Sequence, residues 1–505
     1  MKNFKVLLLS CFAMMAVTSC FEDMDDNPIS TVEINDFVWK GMNAVYAYKD
    51  EITDLMNDRF TSNDDYTNYL NEYASPEDLF ESLLYLPDNI DEFSVIVPNY
   101  FELEQLLQGT TFNNGMAYGL VKLPNATEDI FGYVRYVMPN TDAEAKGVTR
   151  GMIFNTIDGA LITETNFSAL LSPTTYTIGL ADYDNNGTTV TLTDDSITSN
   201  NETITLTKSA YTENPILTHN VLNVDGSAIG YLMYNGFRIG DDNLDELNNV
   251  FAEFQSEGIS DLVLDLRYNG GGSVDTAIWL ASMITGQYTG EVFFKEKWNT
   301  DILTEFEQSN PDALINPFVT QMTKRNTNGD ITYQQSITSL NLNKVYILTT
   351  RSSASASELV INGLTPYIDV VQVGATTRGK SQASRTIYDS ANLSKENVNP
   401  NHTYAMQPLI YEAQNADGYS EFYNGLSPDP SFQLSEYYEN LGVLGDIEER
   451  LLAEAIADIT GLSRSAIETQ QPYETVKQIG DQNFKNPFRF DMIDDRPLKF
   501  NIINQ

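Results

Sequence analysis

Apolar and polar positions follow three different rhythms along the 505 residues. Over 34–60, "INDFVWKGMNAVYAYKDEITDLMNDRF", apolar side chains at Phe37, Met42, Val45, Tyr46 and Tyr48 with few breakers predict an amphipathic helix. At 75–85, "SPEDLFESLLY", Ser75 as N-cap and Pro76 in the first turn predict a helix start. A small helical domain is therefore expected over 34–105. Between 108 and 210 the rhythm shortens: "FGYVRYVMP" and "GTTVTLT" alternate, and Asn186-Gly187 predicts a hairpin turn. From 215 to 465 strand and helix patterns alternate, which predicts an α/β core. Within it, "DLVLDLRYNGGGSVDTAIWLASMITG" reads as a strand (Leu262–Leu266), a turn (Asn269–Gly272) and a helix with Val274, Ala277, Ile278 and Ala281 on one face. "KVYILTTRSSASASELVINGLTPY" repeats the plan with a serine-rich turn. Residues 466–505 are polar and irregular apart from "NPFRFDMIDDRPLKFNII" and suggest no function.

The N-terminus changes where such a chain would work. "MKNFKVLLLSCFAMMAVTSC" joins Lys2 and Lys5 to an apolar run from Val6 to Val17, too short for a comfortable membrane span, so 1–19 reads as a secretory signal. "VTSC" resembles a bacterial lipoprotein cleavage box, which implies lipidation of Cys20 and anchoring to a membrane surface. Cys11 lies inside the signal, so the mature chain keeps one cysteine and can form neither a disulfide framework nor a cysteine metal site. The linker over 20–33 opens with "FEDMDDN", similar to the surface-export tag of some Bacteroidetes lipoproteins. Together these imply a cell-envelope lipoprotein at the outer membrane, facing periplasm or cell surface. With 29 basic against 71 acidic residues the net charge is −42, a surface that repels phosphate backbones and argues against a nucleic-acid partner.

Two motifs imitate ligand sites. "VGATTRGKSQ" (373–382) fits the phosphate-loop pattern G-x-x-x-x-G-K-[ST], but such a loop must open a helix, and "SQASRTIYD" suits a strand or loop. "DYDNNG" (182–187) starts like a calcium loop, yet Thr193 stands where the twelfth-position glutamate is needed. No metal and no cofactor are expected. The serines of "SSASASE" (352–358) lie between a strand and a helix, where a hydroxyl faces the positive helix end. Serine needs a base to become a nucleophile. His219 in "ILTHN" and His402 in "NPNHT" read as structural or exposed, which leaves a lysine kept neutral by burial, and Lys380 follows a buried strand.

"DLRYNGGG" (265–272), "SASASE" (353–358) and "GATTRGKS" (374–381) resemble the three signatures of the tail-specific, or C-terminal-processing, serine peptidases, and "GLSPDP" (425–430) is similar to a fourth. The resemblance implies Ser355 as nucleophile, Lys380 as general base, and an oxyanion hole from the Ala356 amide with a glycine amide of Gly270–Gly271. The family's third member, a glutamine four residues after the lysine, is Ser384 here. Gln382 lies two residues after the lysine, and alternate residues of a strand share a face, so either could orient Lys380. "NTDAEAKGVTRGMIFNTIDG" further resembles a PDZ domain, with Met152 in place of the usual aspartate. That implies a peptide-binding strand at "MAYGLVKL" containing Tyr118, Gly119 and Leu120. The expected architecture is α/β multidomain: an N-terminal helical domain, a PDZ-like domain over 108–210, and a ClpP/crotonase-like peptidase core over 215–465. The expected function is serine endopeptidase action on exported proteins or peptides. The alternative is a catalytically inactive, PDZ-bearing peptide-binding lipoprotein.

Overall fold

The computed structural model describes residues 31–107, 110–188, 192–326, 329–462 and 476–496. The signal, Cys20 and most of the acidic linker lie outside the described residues. The central sheet has five strands in the order Ile216–Val224, Ser227–Tyr234, Asp261–Asp265, Lys344–Thr349 and Asp369–Gly374. The first two form an antiparallel hairpin, and every later pair is parallel. Parallel strands are covered on both faces, and the pattern of burial agrees. Leu262, Leu264 and Ile347 pack against helices Val274–Thr285 and Ala356–Leu364 on one side. Val263, Tyr346 and Leu348 pack against Leu451, Leu452, Ala455 and Ile456 of helix Arg450–Thr460 on the other. Helix Val274–Thr285 is buried all round rather than on the single expected face: Trp279, Leu280 and Met283 are enclosed along with Val274 and Ala277. The segment 319–342 covers its outer side, where the Val319 amide donates to Ser282 Oγ (3.0 Å) and the Leu340 and Leu342 amides donate to the Met283 and Ile284 carbonyls (2.8 and 2.9 Å).

The N-terminal helices pack directly on the central sheet. Phe37, Val38 and Met42 share one hydrophobic core with the central sheet, and strand Val95–Val97 pairs with Ala405–Gln407. The helix expected over 34–60 ends at Val45, and 3-10 turns follow at Lys49–Glu51 and Thr53–Leu55. Tertiary bonds outweigh helix propensity here. The Ala47 amide donates to the Leu409 carbonyl (2.9 Å), Asn43 to the Leu55 carbonyl (2.6 Å), and buried Lys49 pairs with Asp301 (2.5 Å). The expected helix at Ser75 is present as Pro76–Ser82, capped by Ser75 Oγ accepting from the Asp78 amide (3.1 Å).

The β-rich region is an antiparallel sheet with its own core of Met116, Leu120, Val134, Phe154, Ile178 and Leu206. Its strand order is Lys477–Asp481, Met116–Lys122, Phe131–Val137, Ile153–Ile157, Thr175–Asp184, Ser196–Thr207. Pairing resumes at Asp184–Ser196, so the connection spans residues 185–195 and is not the tight Asn186-Gly187 hairpin expected. Both residues do take positive φ (53° and 73°), but they form a local turn inside a longer loop. The edge strand Lys477–Asp481 comes from the C-terminal tail, which the sequence left without a role.

One ion network locks this region to the core. Arg267 is fully buried; its Nε donates to Asp265 Oδ1 (2.9 Å), and its Nη1 and Nη2 donate to Glu449 (2.7 and 2.8 Å). Arg150, from the β-rich region, reaches Glu436 (2.9 Å) and Tyr268 (2.7 Å) in the same cluster. Removing one partner from such a cluster strands buried charge. Arg267→Met should therefore cost about 3–5 kcal/mol in stability, read from urea unfolding.

Candidate active site

Strand Lys344–Thr349 passes through a serine-rich turn into helix Ala356–Leu364, with Ser355 at the N-cap. Ser355 has φ 63° and ψ −113°, a conformation a non-glycine residue holds only when its surroundings over-determine it. The neighbouring residues of the motif supply that constraint. Ser353 Oγ donates to the Leu266 carbonyl (2.7 Å), while the Ala354 amide (3.1 Å) and Ser357 Oγ (3.0 Å) donate to the Asn269 carbonyl. Ser355 Oγ itself is buried and has no hydrogen-bond partner among the described residues. Facing it, Gly271 has φ +117°, and a Cβ there would sit 3.1 Å from Ser355 Oγ and 2.4 Å from the Asp491 carbonyl oxygen. Only glycine lets the backbone approach this closely.

Lys380 follows strand Asp369–Gly374 by a loop, and the next regular element is strand Gln382–Ser384, not a helix. The phosphate-loop pattern therefore lacks the helix N-terminus it needs. Glu358, the third helical residue after Ser355, joins the two halves of the site. Its Oε2 accepts from the Ser355 amide (2.7 Å) and the Lys380 amide (2.8 Å); its Oε1 accepts from the Gly379 amide (2.7 Å) and the Thr377 hydroxyl (2.5 Å). Burial pushes the Glu358 carboxyl up, and these four donors oppose the shift. The Lys380 amine is enclosed, 3.2 Å from Ser384 Oγ, 3.3 Å from Asp491 Oδ1 and 4.9 Å from the Phe93 ring centre. Burial lowers its pKa from the ordinary 10.5, against the pull of Asp491. Burial likewise raises the Asp491 carboxyl to about 6, against the pull of Lys380.

The structure separates the two candidates for orienting the lysine. Ser384 Oγ is the group bonded to Lys380, whereas Gln382 Nε2 donates to the Tyr48 hydroxyl (2.6 Å) in a cluster with Glu412. Of the oxyanion candidates, Ala356 carries the first amide of its helix, one of the four without an intrahelical acceptor. The Gly271 amide is already committed to Asn269 Oδ1 (2.9 Å), so it is no free donor in this conformation; the side-chain carbonyl two residues earlier reaches it first. Gly270 lies against the Arg489 carbonyl, 2.1 Å from where a Cβ would be. Tyr118, Gly119 and Leu120 lie on the strand edge paired with the tail, and the Tyr118 amide donates to Gln482 Oε1 (3.1 Å). His219 and His402 are partnered with Glu253 and Asp389, consistent with structural roles. Two site residues went unrecognised in the sequence. Glu358 had a signal, since glutamate three residues after an N-cap serine is a capping-box position. Asp491 had none, because it reaches Lys380 across 111 residues from an irregular tail.

A buried serine on a strained strand-to-helix turn, faced by a glycine turn and joined through Glu358 to the backbone of a buried lysine on an α/β fold, defines a serine-type hydrolase centre. Residues 228–429 match the model of peptidase family S41, and residues 33–95 match that of the peptidase S41 N-terminal domain. The chain belongs to peptidase family S41 and is a serine-type peptidase. It is similar to a putative S41 protease from Bacteroides fragilis, at 23% identity over 86% of this chain and 99% of that one, with a TM-score of 0.62. The photosystem II D1 C-terminal processing protease (19% identity, 85% and 99% covered, TM-score 0.46) also matches. So does a putative peptidase from Parabacteroides merdae (16%, 86% and 98%, 0.34). No curated protein sequence matches.

Glu358→Gln keeps the volume but replaces acceptor capacity with an N–H₂ group facing amide donors. We expect kcat/KM for an unstructured peptide to fall at least about tenfold and stability to drop by about 1–3 kcal/mol, from peptide hydrolysis and urea unfolding.

Proposed function

We propose that this peptidase cleaves exported proteins or peptides through a Ser355/Lys380 dyad, with its β-rich region acting as a PDZ-like module for substrate C-termini. The observation that carries the reading is the shared carboxylate of Glu358, which pins the backbones of the serine and the lysine to one buried point. Neutral Lys380 takes the proton of Ser355 Oγ as that oxygen attacks the scissile carbonyl, and the ammonium so formed protonates the leaving amine. Water then hydrolyses the acyl-enzyme, again through Lys380. The Ala356 amide, at the positive end of its helix, and the Gly270 amide are the donors we assign to the oxyanion. Ser384 is assigned as the positioning residue for the lysine, in the place the family gives to glutamine. The antiparallel edge of Met116–Lys122 suits strand addition by a peptide. The layered α/β core supports a ClpP/crotonase-like reading. Cys20 is assigned as the lipid anchor, holding the enzyme at the cell envelope; no helix among the described residues is long and apolar enough to cross a membrane.

Ser355→Ala and Lys380→Ala should each lower kcat on an unstructured peptide by on the order of 10⁴ or more while the circular dichroism spectrum is kept. Turnover equal to the parent would exclude the dyad. Because burial lowers the pKa of Lys380 and the base must be neutral, kcat/KM should rise with pH along a limb centred below 10.5. A limb centred at 10.5 or higher would contradict a buried lysine base. Cys20→Ser should move the protein from the membrane to the soluble fraction of the cell envelope, checked by fractionation.

A further inference from the structure

The tail that the sequence left without a role runs through both functional parts of the molecule. Strand Lys477–Asp481 pairs antiparallel with Met116–Lys122, in register Lys477–Lys122, Gln478–Val121, Gly480–Leu120 and Asp481–Gly119. This is the polarity of an added peptide whose C-terminal end points to the start of the accepting strand. At that end Gln482 Oε1 accepts from the Tyr118 amide (3.1 Å), so a side-chain carbonyl stands where a terminal carboxylate oxygen would. Ile479 and Phe484 pack on the core of the β-rich region, and the Asp481 carboxylate lies 3.7 Å from buried Arg135. Beyond the groove the tail crosses to the catalytic turn. The Gly272 amide donates to the Asp491 carbonyl (2.6 Å), the Asp491 carboxylate holds Lys380 (3.3 Å), and Met492–Ile493 inserts beside Gly272–Ser273 and Ser384. Two cavities of about 280 and 730 Å³ lie against the tail, and Asp481, Arg489 and Phe490 line both.

We propose that Lys477–Asp491 is a resident ligand of the chain's own peptide groove, which draws Lys380 away from Ser355 until an incoming C-terminus displaces it. This rests on the peptidase and PDZ-like readings above. It accounts for two features together: Ser355 Oγ makes no hydrogen bond although Glu358 joins its backbone to that of Lys380, and the lysine amine is bonded to a tail carboxylate. The anchor is Met492–Arg496, where the Asp494 amide bonds the Ser384 carbonyl (3.0 Å) and Arg496 pairs with Asp494. The part that moves is Lys477–Phe490, held by the strand edge, the Gln482–Tyr118 bond, the ion pairs of Lys477 with Glu164 and Asp481 with Arg135, and the apolar side chains of Ile479, Phe484, Phe488 and Phe490. Displacement frees the Tyr118 amide for a carboxylate and withdraws Asp491, so occupancy of the groove and release of the base are one event.

Binding tests this without relying on catalysis. In full-length Ser355→Ala protein, a fluorescein-labelled unstructured peptide with a free carboxylate is titrated by anisotropy, with and without Ile479→Asp, which loosens the tail strand. The Kd should fall at least about tenfold with Ile479→Asp, and an amidated peptide should gain little. Equal Kd values, or no binding by either protein, would overturn the proposal. In the catalytically intact chain, Ile479→Asp and Asp491→Asn should each raise kcat/KM several-fold. A fall with Asp491→Asn to the level of Lys380→Ala would overturn the inhibitory role and make Asp491 a positioning residue. If no variant shows Ser355-dependent hydrolysis, the peptidase mechanism fails while the binding measurement still decides whether the tail occupies the groove.

Discussion

The buried carboxylate of Glu358 is the constraint on which the site depends. A carboxylate taken out of water is costly unless its oxygens are satisfied, and here three backbone amides and one hydroxyl satisfy them. Those donors come from the serine turn and the lysine loop, so folding cannot bury Glu358 without bringing these two segments together. The strained backbone of Ser355 is one consequence. A helix start that must present its amide to Glu358, and hold Ala354 and Ser357 on the Asn269 carbonyl, leaves its N-cap no relaxed conformation.

The same economy recurs at the scale of domains. Arg267 lies two residues past the strand that leads to the glycine turn, and its carboxylate partners come from that strand and from the N-cap of helix Arg450–Thr460. Arg150 brings the β-rich region into the same cluster. The N-terminal helices complete the hydrophobic core on the far side, and Phe93 covers the lysine. The catalytic centre is thus enclosed by segments from nearly the whole chain. That enclosure removes water from Lys380 and lowers the cost of its neutral form.

The tail gives this enclosure a second meaning. A lysine desolvated enough to act as a base is also one that a nearby carboxylate can hold strongly, because attraction between charges grows as water is excluded. Asp491 exploits that sensitivity. The edge of Met116–Lys122 shows a similar sensitivity: an open strand edge accepts any chain segment of the right polarity, and the protein's own tail, tethered close by, pairs with it.

Much of the site was legible in the chain because its chemistry is local. Glycines at a close backbone approach, serines at a strand-to-helix turn and a lysine after a buried strand each leave a short-range mark, and the three central strands and their helices follow from runs of apolar residues. The failures share one cause. The early end of the first helix depends on Leu409 and Asp301, the full burial of Val274–Thr285 on the segment 319–342 packed over it, the Gly271 amide on the Asn269 side chain, and the choice of Ser384 over Gln382 on Tyr48. The sequence by itself determined the mixed α/β class, the serine-rich strand-to-helix turn and the presence of a lysine after a buried strand, because periodicity and turn chemistry act over a few residues. Only the tertiary structure decided which groups surround that lysine, and that a tail carboxylate is among them. The Phe93 and Asp491 contacts join residues more than a hundred positions apart, and no local pattern encodes them.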